Sequence, residues 1–258
     1  MSNSIRVLSF NLLYGGHEHT PCALERRRDK LPQVIRQARP DLCGCQEAVD
    51  STRAWLAASL AGEYAMAGCG RGADCRGEGC PVLWRTDRFE MLSFDTFWLS
   101  DTPQVPGSRL QDAEQSSCPR LAHTAYLYDY IARRPVLFIN THLDHYGQAA
   151  RERELAMLAG RIAALPRELG CVLTGDFNVT PEQPYFAEFV GRLGELGWRD
   201  ATAGIPGTFH GFGGCNPPAK IDYIFTNATV LDAGTVADPH PDGAWYSDHY
   251  AVWADLQF

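Results

Sequence analysis

No stretch of the 258 residues approaches the roughly 18 consecutive apolar residues of a membrane span, yet 45% of the chain is apolar, enough for a large core. The opening MSNSIRVLSF enters a strand pattern without a basic segment, apolar stretch and cleavage site, so no signal peptide is expected. No Pro/Ser/Gly-rich linker, low-complexity tract or repeat divides the sequence, which predicts one domain over 1–258. The nine cysteines (22, 43, 45, 69, 75, 80, 118, 171 and 215) are odd in number and lack the paired C-x-x-C spacing of zinc sites. Reduced thiols in a cytoplasmic protein are therefore expected. Cys69, Cys75 and Cys80 are spaced to share a metal, but no fourth ligand stands near them. Positive charge is scarce as well. The formal net charge is −8 and no long Lys/Arg stripe is found, which disfavours holding a long nucleic acid by counterion release.

What is present centres on Val172 to Asn178, VLTGDFN. In an extended segment successive side chains point to opposite faces, so Asp176 and Asn178 are expected to look the same way while Phe177 anchors the other side. A carboxylate there can bind a cation or position a water, and the neutral amide can donate to a phosphate oxygen without adding repulsion. Alone, a Gly-Asp pair after a strand reads more simply as a turn.

Other strand ends repeat the pattern. Ile5 to Leu12 is apolar on nearly both faces, as a central covered strand would be, and delivers Asn11. A helical pattern from about 24 to 38 follows, with Pro32 marking a kink or a first turn and Glu25-Arg26-Arg27-Arg28 reading as a solvated face. A strand over 41–46 ends at Glu47, and Asp50 or Ser51 is placed to cap a helix reaching about 60. A Gly/Cys-rich loop over 69–80 holds Glu78 ahead of strands at about 81–85 and 89–99. The connection from 99 to 121 is long enough to be a binding loop. Strands at about 121–128 and 135–142 end in NTHLDH, where Asn140 and His142 share a face and His145 follows. A helix over about 148–165 precedes VLTGDFN, and GTFHGF, KIDYIF and YSDHYAVWADLQF close the chain. Strands dominate with helices between them, which predicts two sheets packed together with helices outside.

Taken in order, FNLL with Asn11, QE with Glu47, GE with Glu78, NTHL with His142, GDFN with Asp176 and Asn178, KIDYIF with Asp222, and SDH with Asp248 and His249 resemble the endonuclease/exonuclease/phosphatase superfamily. The resemblance spans nearly the whole chain, and WRTDRFE, FWLSDTP and the HLDH extension look most like a bacterial branch related to nocturnin and the deadenylase-like members. It departs from the family's pattern at Lys220, Cys80 and His123-Thr124, where relatives carry arginine, asparagine and a Thr-Trp pair.

The resemblance implies a four-layered α/β sandwich whose strand ends converge over a divalent cation, Mg2+ or Mn2+. It implies hydrolysis of a phosphoester bond, a phosphodiester first and a sugar, inositol or nucleotide monoester second. Glu47 is the first expected cation ligand, with Asn11 close by and Asp248 acting through water or on a second ion. Asp176 would position or activate water, Asn178 would bond the phosphoryl oxygens, and Asp222 would orient His249. Glu78 and His142 are expected to form a second carboxylate–histidine pair. The expected partner is a phosphoester, a nucleotide or short nucleic acid among the candidates, with neither a membrane nor an obligate protein partner. Trp98, Tyr146, Phe209, Phe212, Trp245 and Tyr246 are expected near the rim, one or two of them touching substrate. A catalytically silent binding module is the alternative of another class, which loss of an acid or histidine would mark. All are present.

Overall fold

A computed structural model describes residues 3–14, 23–236 and 245–258. Two six-stranded mixed sheets pack face to face. The first is ordered β11 (Thr229–Thr235), β12 (Val252–Gln257), β1 (Ile5–Asn11), β2 (Leu42–Gln46), β4 (Val82–Arg85) and β3 (Tyr64–Ala67). The second is ordered β5 (Phe89–Trp98), β6 (Leu121–Asp129), β7 (Arg134–His142), β8 (Gly170–Asp176), β10 (Asp222–Thr226) and β9 (Arg199–Asp200). Helices α2 (Leu31–Ala38) and α3 (Asp50–Ser59) cover the outer face of the first sheet. Helices α4 (Gln148–Ala163) and α5 (Pro184–Glu195) cover that of the second. This is the expected four-layered α/β sandwich.

Strand alternation distributes the side chains among the layers. In β1, Leu8 and Phe10 pack under the helices with Leu31, Ile35 and Leu56, whereas Ile5 and Val7 face the seam between the sheets. In β8, Leu173 packs toward α4 and α5 and Val172 faces the seam. Val136 and Phe138 of β7 and Ile224 of β10 do the same, so one end of the seam is apolar. Farther along the same faces come Ser9, Asn140 and Thr174, all buried and hydrogen-bonded. Asn140 Nδ2 donates to the Cys45, Cys80 and Pro81 carbonyls of the opposite sheet, and its Oδ1 accepts from Gln46 Nε2 at 2.7 Å and Thr174 Oγ1 at 3.0 Å. Gly44 lies opposite this clamp, where a Cβ would stand 2.2 Å from Thr174 Oγ1 and 2.6 Å from Asn140 Oδ1.

Several local expectations change. The pattern over 24–38 divides into a short helix α1 (Leu24–Arg27), a 3-10 turn (Arg28–Lys30) and α2, and Pro32 occupies the first turn of α2, where it costs no hydrogen bond. Arg27 is not on a solvated face. It is buried and donates to the carbonyls of Leu12, Leu13 and Tyr246, tying the segment after β1 to the chain's last loop. Helix α3 is capped by neither Asp50 nor Ser51: Val49 is its N-cap, and Asp50 accepts instead from Arg53 and the Gly77 N–H. Eight of the cysteines are free thiols, and Cys22 lies outside the described residues. No helix among the described residues is long and apolar enough to cross a membrane.

Candidate active site

Parallel pairing sets β1 beside β2 and β7 beside β8, so four strand C-termini meet at one end of the seam. Strand β10 runs antiparallel to β8 and brings its first residue there, with Asp222 in register with Asp176 and His142 in register with Asp176 on the other side. Asn11, His142, Asp176 and Asp222 continue the seam-facing rows that carry Val7, Phe138, Val172 and Ile224 lower down. The row that buries apolar side chains thus ends in four buried polar ones.

Asn11 stands between two acids. Its Nδ2 donates to Glu47 Oε1 at 3.0 Å and Asp176 Oδ2 at 2.9 Å, while its Oδ1 accepts from the Leu13 N–H. The amide nitrogen, not the oxygen, therefore faces the acids in this arrangement. Glu47 adopts a left-handed backbone, φ 59°, just past β2, and its Oε2 accepts from the Tyr14 N–H. A glutamate held there bears local strain, which the surrounding contacts must offset.

Asp176 and Asn178 come together, though not by strand alternation. Strand β8 ends at Asp176, Asn178 turns left-handed with φ 49°, and its N–H donates to Asp176 Oδ1 at 2.9 Å. An Asx turn therefore gathers the pair. Phe177 does point away, into a ring cluster with Phe186, Phe189, Tyr223 and Phe225 that fixes the turn from below. Gly175 leaves the room this needs, since a Cβ there would lie 2.6 Å from Thr141 O.

The two histidines differ in state. His249 Nδ1 lies 2.8 Å from Asp222 Oδ2, while its Nε2 faces Asp176 Oδ2 at 3.8 Å and Asp248 Oδ1 at 3.9 Å. Burial disfavours the imidazolium, but the charges of Asp222, Asp176 and Asp248 outweigh it and push the pKa up to about 10. His142 is held well below its ordinary value, first by burial and then by the charges of Arg120 and Arg71. Asn178 Nδ2 donates to Leu143 O at 3.0 Å, which fixes its amide, and lies 2.9 Å from His142 Nε2, which must then accept. Burial, then Asp222, raises Asp176. Asp248 is raised by burial, and its Oδ1 lies 3.3 Å from Ser247 Oγ.

The expected Glu78–His142 pair is not formed. Glu78 Oε1 accepts from Arg71 Nη2 at 2.6 Å, while His142 Nε2 lies 3.6 Å from Asp176 Oδ2. Glu78 and His142 nevertheless line one cavity of about 380 Å³ together with Glu47, Asp176, Asn178, Asp248 and His249. Of the six rim aromatics only Phe209 lines it, its ring 4.9 Å from that of His249. Trp98 and Tyr246 are buried, and Trp245 packs on His210. Arg71, Arg120, Cys118 and Tyr14 also line the cavity and were not foreseen, because a lone arginine in a loop or ahead of a strand carries no periodic signal.

Ligand atoms of Glu47, His142 and Asp176 lie within 4.8 Å of one another, as do those of Asp176, Asp222 and His249. The first group offers two carboxylates beside buried, charge-costly surroundings, a donor set that fits a hard divalent cation. Lys220, standing where arginine was expected, is buried below the site. Its Nζ donates to Thr202 Oγ1 at 2.8 Å and to the Asp222 carbonyl, and burial pushes its pKa down to about 8.

Comparison with known proteins agrees with this fold. A structure described as the endonuclease/exonuclease/phosphatase from Bacteroides vulgatus is 31% identical, with a TM-score of 0.88 and 99% of each chain covered. The mannosyl-6-phosphatase Bt3783 of Bacteroides thetaiotaomicron is 26% identical, with a TM-score of 0.86 over 98% of this chain and 100% of that one. The human nocturnin catalytic domain, 18% identical with a TM-score of 0.75 over 99% and 93% of the two chains, shares the fold. Protein angel of Drosophila melanogaster is 24% identical over an alignment 220 residues long that covers 78% of this chain but 59% of that protein. The Endonuclease/Exonuclease/phosphatase family model matches residues 8–249, from the strand that carries Asn11 to the histidine that faces Asp222, and the chain belongs to that family.

Proposed function

We propose that the protein is a phosphoester hydrolase, dependent on Mg2+ or Mn2+, that acts on a small or short substrate. The observation that carries this reading is the convergence of Glu47, Asp176, Asn178 and His249, the last held from behind by Asp222, on one cavity of about 380 Å³. Family membership supports the reaction class. Glu47 is the residue suited to hold the cation, with Asn11 beside it and Asp248 lining the same cavity. When bound, the cation supplies neutralisation of phosphoryl charge and stabilisation of the leaving oxygen.

The chain's own groups account for the remaining work. Asp176 accepts a proton from, or aligns, the attacking water, and Asn178 donates to a non-bridging oxygen. His249, fixed by Asp222 through Nδ1, turns Nε2 toward the phosphoryl group and stabilises its developing charge. A water oxygen bonds to phosphorus, the P–O bond to the alcohol breaks, and the alcohol leaves with a proton. The family resemblance favours a phosphodiester first. A phosphomonoester is favoured by the likeness to a mannosyl-6-phosphatase over nearly the full length of both chains.

The test is a hydrolysis screen of sugar phosphates, inositol phosphates, nucleotides and short oligonucleotides with Mg2+, Mn2+ or excess chelator. Turnover with either cation and none with chelator is expected. Thermal melting with the cation alone should show stabilisation that Glu47→Gln reduces, because ion binding relieves repulsion among the acids. Undiminished hydrolysis in chelator would refute the metal dependence.

A further inference from the structure

Arg71 and Arg120 stand at one end of the cavity, and the chemistry above leaves both without a task. The Arg120 side chain is 2% exposed. Its Nη2 lies 2.7 Å from His145 Nδ1 and its Nε forms an ion pair with Asp144 Oδ2 at 3.5 Å, but both Nε and Nη1 are buried without a hydrogen-bond partner. A guanidinium only donates, so His145 Nδ1 accepts and the ring keeps its proton on Nε2. Burial and then the charge of Arg120 lower the His145 pKa, in keeping with a neutral ring. Arg71 donates to Glu78, and the Trp98 indole N–H holds the Arg71 carbonyl at 2.8 Å. Glu78 and Asp144 offset much of the positive charge, so this end offers directed donors more than surplus charge.

Leaving a buried guanidinium N–H without an acceptor is costly, and an anionic oxygen would supply one. The two arginines also line a recess of about 10 Å³, bounded besides by Glu47, Glu78, Cys80 and His142, with room for no more than one water. The recess has no room for the alkoxy or aryloxy group of an ester. We propose that Arg71 and Arg120 receive non-bridging oxygens of a terminal phosphate, so that the protein prefers phosphomonoesters to phosphodiesters. A monoester presents three such oxygens and no second carbon group, whereas a diester presents two and must place an ester substituent on each side. The inference rests on the phosphoester-hydrolase reading.

The experiment compares p-nitrophenyl phosphate with bis-p-nitrophenyl phosphate, with Mg2+ or Mn2+, for the natural sequence, Arg120→Met and Arg71→Met. The expected result is a kcat/KM ratio of monoester to diester above tenfold that falls by at least tenfold in each variant. Arg71 is the more exposed of the two, so its variant serves if Arg120→Met misfolds by circular dichroism. In a second measurement with Mg2+, inorganic phosphate should raise the melting temperature more than dimethyl phosphate does, and the variants should lose that difference. A ratio near one, or a preference untouched by either substitution, would overturn the inference and leave hydrolysis standing. Arg120 would then be a structural residue whose Nη1 binds a buried water. Absence of hydrolysis of both esters would overturn the underlying reading as well.

Discussion

Asp176 accepts hydrogen bonds from Asn11 Nδ2 and the Asn178 N–H and lies between the two histidines, so one carboxylate links every part of the site. Asp176→Asn keeps its shape but cannot take a proton or hold water in the same way. Turnover should fall roughly 10²–10⁴-fold, while the metal-free melting temperature does not drop, because a buried charge is removed. Steady-state kinetics and calorimetry check both. His249→Ala and His142→Ala should each lower turnover by more than about tenfold, as loss of a positioned polar group at the phosphoryl centre does. An intact His142→Ala enzyme would reduce that residue to a structural tether for Asn178. A separate test concerns Glu154, which is buried beneath the 143–147 loop. Its Oε2 accepts from the Asp144 N–H at 2.8 Å, its Oε1 has no partner, and burial raises its pKa to about 8. A carboxyl raised in the folded state contributes fully below its unfolded value near 4.5, and that contribution is lost as pH rises through about 8. Glu154→Gln retains an acceptor and cannot ionise. It should therefore raise the melting temperature at pH 9 and leave it nearly unchanged at pH 4.5.

Among the elements, β1 and β8 were legible because covered central strands read as near-continuous apolar runs. Strand β3 was missed because its residues are only half-buried and it pairs at a sheet edge, where the apolar signal fades. The break in the first helical pattern was visible at Pro32, but the burial of Arg27 was not, since its acceptors come from segments more than ten residues before and 200 after it. The seam between the sheets adds a constraint that a strand pattern cannot display. Gly44 reads as an ordinary small residue in LCGCQ, yet the Asn140–Thr174 clamp fills the space its side chain would need. Gly44→Ala should cost about 1–3 kcal/mol, as overpacking does, measured by the denaturant midpoint. A midpoint equal to that of the natural sequence would mean that the clamp yields freely.

Over the whole molecule, the net charge of −8 and a cavity near 380 Å³ bear on substrate size. Binding of a small phosphoester should weaken little between low and physiological salt, because few phosphates would be neutralised away from the cation. A steep salt slope on a long duplex would contradict the small-substrate reading. The sequence by itself determined the strand-rich two-sheet architecture, because alternation and apolar runs are local properties of the chain, and the order of its motifs carried the family resemblance that singled out the acids, amides and histidines at the strand ends. Only the tertiary structure decided the partners. It paired Glu78 with Arg71 instead of His142, turned the nitrogen of Asn11 toward two acids, buried Arg27, Trp98 and Tyr246, and brought Arg120 to the cavity. The reason is physical: a side chain's charge state and hydrogen bonds depend on the groups that folding brings to it, and for Asn11 these lie 36 and 165 residues away along the chain.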